Sequence, residues 1–184
     1  MRTRALNVLW CGLICGAVNV AAQTTTVRSP LAACGDEKTT FNVSRGDVGE
    51  QSDSLEAGKA KVYIIELFNL QDKGKFGRPT VRHGLDGAWL GATQGFTYIS
   101  AVIEPGTHHL CSRWQSSLES RTERISLNNF DAVAGKRYYF RAQISVDGAE
   151  RGGGPTLIDL QPVSEDEGRF LISEAAQSVS KPKK

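Results

Sequence analysis

This chain is poor in the patterns that announce chemistry. It contains no Gly-x-Ser-x-Gly stretch, so the elbow that presents a catalytic serine in many hydrolases is missing. Its adjacent His108 and His109 stand without the recurrent close-spaced partners of zinc signatures. Basic residues form no patch beyond the terminal Lys181-Pro182-Lys183-Lys184, which excludes the electrostatic footprint of a nucleic-acid binder. No apolar run long enough for a membrane span of ~20 residues occurs; the one candidate, Leu6 to Ala22, is short and broken by Asn7 and Asn19.

That N-terminal run is better explained as an address. Arg2 and Arg4 precede it and Val20 and Ala22 close it with small side chains, the three-part pattern of a secretory signal peptide cleaved after Ala22. Loss of residues 1–22 takes Arg2 and Arg4 from the 22 basic residues and leaves 20 against 20 acidic ones, a mature chain of zero net charge with no transmembrane span. A rival address is Leu31-Ala32-Ala33-Cys34, which matches the small-residue box before a lipid-bearing cysteine of bacterial lipoproteins. The polar, charged spacer Gln23 to Pro30 separates that box from the apolar run, which favours cleavage over anchoring at Cys34.

Four segments follow: the signal peptide 1–22, a polar stretch 23–57 with one short strand at Thr39 to Ser44, a β-domain at 58–175, and a polar basic tail 176–184 expected to be solvated. Within the domain, Lys61 to Phe68 is almost continuously apolar and suits a strand buried on both faces. Asp86-Gly87 marks a tight hairpin, and Glu104-Pro105-Gly106 a type II turn. Arg137 to Val146 alternates, with Tyr138, Phe140, Ala142, Ile144 and Val146 on one face. Ser164 to Glu167 offers a capping box for a short helix, which Gly168 weakens. Many short strands at regular spacing indicate a mainly β fold, an antiparallel β-sandwich or partial barrel with a short C-terminal helix.

Gly58 to Tyr63, Asp86, Gly87, Gly91, Pro105, Gly106, His108 and Gly135 to Phe140 occur in the order seen in the bacterial secreted proteins of domain-of-unknown-function family 2846, which this chain resembles over residues 58 to about 172. The resemblance implies an export-associated sandwich similar to transthyretin-like or carboxypeptidase-regulatory domains. It brings no activity and no cofactor, and it leaves 23–57 and Cys34 outside.

Several constellations have a plainer account than catalysis. On a regular strand His108 sides with Leu110 and His109 with Cys111, so the pair cannot aim at one ion without His83 or remote carboxylates. His83, His108 and His109 are therefore weak metal candidates, with His108 expected to donate to a backbone carbonyl. Ser178-x-x-Lys181 lies in the polar tail, and Asp166 and Glu167 complement a helix dipole. Asn42-Val43-Ser44 is a glycosylation sequon that carries no weight beside the bacterial resemblance. Trp89, Trp114, Arg113 and Arg141, together with Arg137 and Tyr139, are expected in core or rim packing; exposed together, they would form a patch for a partner protein or envelope glycan. Cys11 and Cys15 leave with the signal, so Cys34 and Cys111 are expected to form a disulfide in an oxidising compartment. The competing states are free thiols, lipidated Cys34, or Cys111 joining the histidines on a metal. The function expected is that of a non-enzymatic binding or structural module of the cell envelope, the alternative being a metal-dependent or hydrolytic enzyme centred on His108 and His109.

Overall fold

The computed structural model describes residues 33–49, 54–68, 79–115, 125–146 and 156–184; the expected signal peptide lies outside the described residues. Among the described residues ten strands and one helix follow in the order β1 (Phe41–Val48), β2 (Ala60–Phe68), β3 (Thr80–Leu85), β4 (Ala88–Gln94), β5 (Thr97–Ile103), β6 (Gly106–Gln115), β7 (Ile125–Ala132), β8 (Arg137–Val146), β9 (Thr156–Val163), α1 (Glu165–Glu174) and β10 (Ala176–Pro182). They build a six-stranded sheet, β1-β10-β5-β2-β8-β9, and a four-stranded sheet, β4-β3-β6-β7. The sandwich is mainly antiparallel, with two parallel pairings, β2 with β8 and β5 with β10.

Alternation decides which side chains fill the space between the sheets. Val62 and Ile64 of β2, Phe140 and Ala142 of β8, Ile99 of β5 and Leu110 of β6 meet there in one buried cluster. The opposite face of the first sheet is covered as well. Tyr63, Ile65, Tyr98 and Tyr139 pack under Ile172 of α1, and the rings of Tyr63 and Tyr139 stack at 4.9 Å. Two buried faces account for the nearly continuous apolar run of β2, interrupted by Lys61 and Glu66. Ser164 caps α1, its side chain accepting from the Glu167 N–H at 3.2 Å.

The two turns behave differently. Asp86 (φ 51°) and Gly87 (φ 91°) form a two-residue hairpin loop between Leu85 and Ala88, where both central residues need positive φ. Glu104-Pro105-Gly106 is not a type II turn. It leads from β5 in one sheet to β6 in the other, and Gly106 opens β6 at φ 136°, far from the value near 80° that a type II turn requires.

The C-terminal residues also depart from expectation. Residues 176–182 are not a solvated tail but β10, laid antiparallel to β1 and parallel to β5. Ala176 and Ser178 point inward, and the buried Ser178 hydroxyl donates to Ala92 O at 2.5 Å. The residues from Ala33 to Val48, placed outside the domain by the sequence pattern, belong to it: β1 completes the first sheet.

Strand ends are stitched across the sandwich by side chains. Gln115 of β6 mimics a neighbouring strand for Phe41, accepting its N–H at 2.7 Å and donating to its carbonyl at 2.8 Å. On the opposite side Ser126 accepts the Leu160 N–H and Asn128 donates to the Leu160 carbonyl, each at 3.0 Å. Edge groups satisfied in this way are withdrawn from pairing with another chain.

Gly168 marks the closest approach of helix to sheet, where an added Cβ would collide with the Cβ and ring of Tyr139. Gly168→Ala, which in a free helix gains up to ~1 kcal/mol, is expected instead to destabilise by about 1–3 kcal/mol through overpacking. Urea denaturation checks the sign.

Candidate functional site

The densest polar constellation is sealed inside the sandwich. Glu66 follows Ile64 on the inner face of β2; His83 lies on β3, Thr93 on β4 and Ser112 on β6. All four are fully buried. Ser112 Oγ lies 2.9 Å from His83 Nδ1, Thr93 Oγ1 lies 2.7 Å from His83 Nε2, and Thr93 contacts Glu66 Oε2 at 2.5 Å. The Gly95 N–H donates to Glu66 Oε1 at 2.8 Å. A serine, a histidine and a carboxylate in series resemble a nucleophile relay, but the hydroxyl between His83 and Glu66 and the absence of solvent exposure separate this chain from one that could meet a substrate.

Burial sets the charge of this set. Desolvation raises the Glu66 carboxyl to about 8 against the opposing hydrogen bonds from Thr93 and Gly95, so at neutral pH it holds its proton. Desolvation likewise lowers His83 to about 3, leaving a neutral imidazole. In that state a consistent set of donors exists: the Glu66 hydroxyl donates to Thr93, Thr93 to His83 Nε2, and His83 Nδ1–H to Ser112. Glu66 was hidden in an apolar run, and Thr93 and Ser112 carry no motif; only the inward phase of their strands hinted at them.

The histidines expected as weak metal candidates do not converge on one centre. His83 is committed to Thr93 and Ser112. His108 places Nδ1 2.6 Å from Asp86 Oδ2 and Nε2 2.8 Å from Glu104 O, so the expected bond to a backbone carbonyl is present together with a carboxylate. His109 is largely exposed; its backbone N–H donates to Asp86 Oδ1 at 2.8 Å and its ring lies 3.8 Å from the same oxygen. Among the described residues no three His, Cys, Asp or Glu side chains are grouped to hold a metal ion.

The aromatic and basic candidates fall into three places rather than one patch. Register pairs Trp114 with Val81, and its ring turns inward against Val81, Ile144 and Ile158. Trp89 pairs with Gly84 on the opposite face, and Arg113 pairs with Arg82 there. Arg141 belongs to the other sheet, bonded to Glu167 of α1 at 3.2 Å. An assembled patch of Trp89, Trp114, Arg113 and Arg141 is therefore not formed, because strand phase sends the two tryptophans to opposite faces.

The outer face of the four-stranded sheet is instead occupied by the chain's own residues 33–40. Cys34 is bonded to Cys111 with Cα atoms 5.2 Å apart. Arg82 donates through Nη1 to Glu37 O at 2.9 Å and Thr39 O at 2.6 Å, and its guanidinium lies 4.7 Å from the centre of the Trp89 ring. Trp89 donates to Asp36 O at 2.7 Å and Arg113 to the Glu37 carboxylate at 3.0 Å. Gly84 lets this strap lie flat, since a side chain there would strike the Ala33 carbonyl and Cys34. Comparison of the chain with family models, with curated proteins and with solved structures returns no match.

The buried pair also shapes stability against pH. Folded Glu66 keeps a proton that the unfolded chain releases above 4.5, so stability falls as pH rises from 4.5 to about 8. Folded His83 refuses a proton that the unfolded chain takes up below 6.5, so stability falls as pH drops from 6.5 to about 3. The two slopes offset one another between 4.5 and 6.5. Above 6.5 the Glu66 slope acts without that offset and removes about 2 kcal/mol by pH 8. Glu66→Gln, which copies the protonated acid, is expected to abolish this share of the decline. Urea midpoints from pH 6.5 to 8.5 check it; parallel curves for the two proteins would show Glu66 already ionised.

Proposed function

We propose that this protein is an exported β-sandwich that serves as a binding or structural module of the cell envelope, with a partner protein or envelope glycan as its ligand class and no chemical step of its own. The observation that carries this proposal is the Cys34–Cys111 bond, which fastens a polar strap to the sheet. Disulfides persist in oxidising compartments, and a strap with so little apolar content needs such a tie to stay ordered. The basic start, apolar run and small-residue close of residues 1–22 supply the matching address.

The enzymatic alternative at His108 and His109 is less well supported. Both ring nitrogens of His108 are occupied by Asp86 and Glu104, and the serine and carboxylate near a histidine are those of the buried chain at His83. Anchoring through lipid on Cys34 competes for the sulfur that the disulfide uses.

Intact-mass measurement on protein recovered from the periplasm or medium tests the proposal. The expected species begins at Gln23 and gains two hydrogens on reduction. Full-length protein confined to the cytoplasm, or a mature form beginning at a lipid-bearing Cys34, would overturn it.

A further inference from the structure

His108 lies where three parts of the fold meet at one end of the sandwich: the β3–β4 hairpin, the corner between β5 and β6, and β7. Its Nε2 is 2.8 Å from the Glu104 carbonyl, which can only accept. Its Nδ1 is 2.6 Å from Asp86 Oδ2, and the other oxygen of that carboxylate already accepts the His109 N–H at 2.8 Å. Two acceptors facing two ring nitrogens require two N–H donors, which only the imidazolium has. A neutral ring would set one lone pair against another at one of these contacts, and that contact would open.

The consequence reaches beyond the ring. Asp86 is the first residue of the hairpin loop, held at φ 51° with its N–H donating to His109 O at 3.0 Å. The next residue, Gly87, donates its N–H to Ala33 O at 3.2 Å, at the near end of the strap and beside Cys34. The loop thus ties His108 on one side to the strap on the other.

We propose that His108 is a proton-operated latch: as an imidazolium it clamps the Asp86–Gly87 loop and the Ala33 end of the strap, and on losing its proton it lets both loosen while the disulfide keeps Cys34 attached. The charged and titratable groups around it come from every element packed there. Asp86 comes from the hairpin, the Glu104 carboxylate from the corner is paired with Lys59, the mostly exposed His109 comes from its own strand, and Asp131 of β7 is bonded to Thr107. Phe130 of β7 presents its ring to His108 at 5.7 Å, a contact without charge.

The direction of the response follows from this environment. Partial burial disfavours the charged ring, but the Asp86 hydrogen bond, the Glu104 carbonyl and the Asp86 charge outweigh it and hold the imidazole above its ordinary 6.5. The clamp's contribution is complete below 6.5 and is lost as pH rises through the folded value. Acid therefore closes this end of the molecule and mild alkali frees it.

Nuclear magnetic resonance on the full mature chain tests the latch without any variant. The expected result is an imidazole protonated on both nitrogens at pH 6 that titrates above 6.5. Hydrogen-exchange protection of the Gly87 amide, corrected for intrinsic base catalysis, should fall at least severalfold across that titration while the Ile64 amide keeps its protection. Asp86→Asn should move the His108 titration downward. A His108 carrying one proton at pH 6, or a Gly87 amide indifferent to the His108 titration, would overturn the proposal.

Discussion

A single covalent bond holds a polar peptide against the outer face of the second sheet, and the arrangement of that face depends on it. Residues 33–40 contribute backbone carbonyls and one carboxylate, to which Arg82, Trp89 and Arg113 turn. Hydrogen bonds of this kind are each worth about 1 kcal/mol net, little against the entropy of ordering eight residues. Closing a loop with a sequence separation of 77 residues by a disulfide stabilises by ~4 kcal/mol in the chain-entropy account, an upper figure. The strap's ordering therefore rests on Cys34 and Cys111 more than on any contact it makes.

The interior follows a different logic. Glu66, Thr93, His83 and Ser112 are wholly removed from water, so each donor and acceptor must be answered within the chain. Answering them ties β2 of one sheet to three strands of the other and fixes how the sheets face each other. Burial of a carboxyl is tolerated because it keeps its proton, which makes the molecule's stability sensitive to alkali. Glu66 in the sealed site and His108 at the surface near Asp86 thus both lose stabilisation as pH rises above 6.5, while His83 costs stability as pH falls below it.

Much of the fold was legible wherever local chemistry and tertiary packing agree. The alternation of β8, the Asp86-Gly87 loop and the Ser164 cap carry their own geometry. Residues 176–182 were not legible because Ala176 and Ser178 are small and weakly apolar; their strand is specified by β1 and β5, which lie far away in sequence. Glu104-Pro105-Gly106 reads as a type II turn because local composition does not reveal that the chain is changing sheets. For the site, the disulfide and the His108 carbonyl contact could be expected from the residues, whereas the opposite facing of Trp89 and Trp114 needed the register. Glu66 was unreadable for a physical reason: its burial is made possible by Thr93 and Gly95, and no pattern around Glu66 announces them.

That a disulfide fastens this strap to the sheet is tested most directly by counting thiols. Mature protein is denatured without reductant and titrated with a thiol reagent. The account predicts no reactive thiol before reduction and two per chain after it. Two reactive thiols before reduction would contradict it.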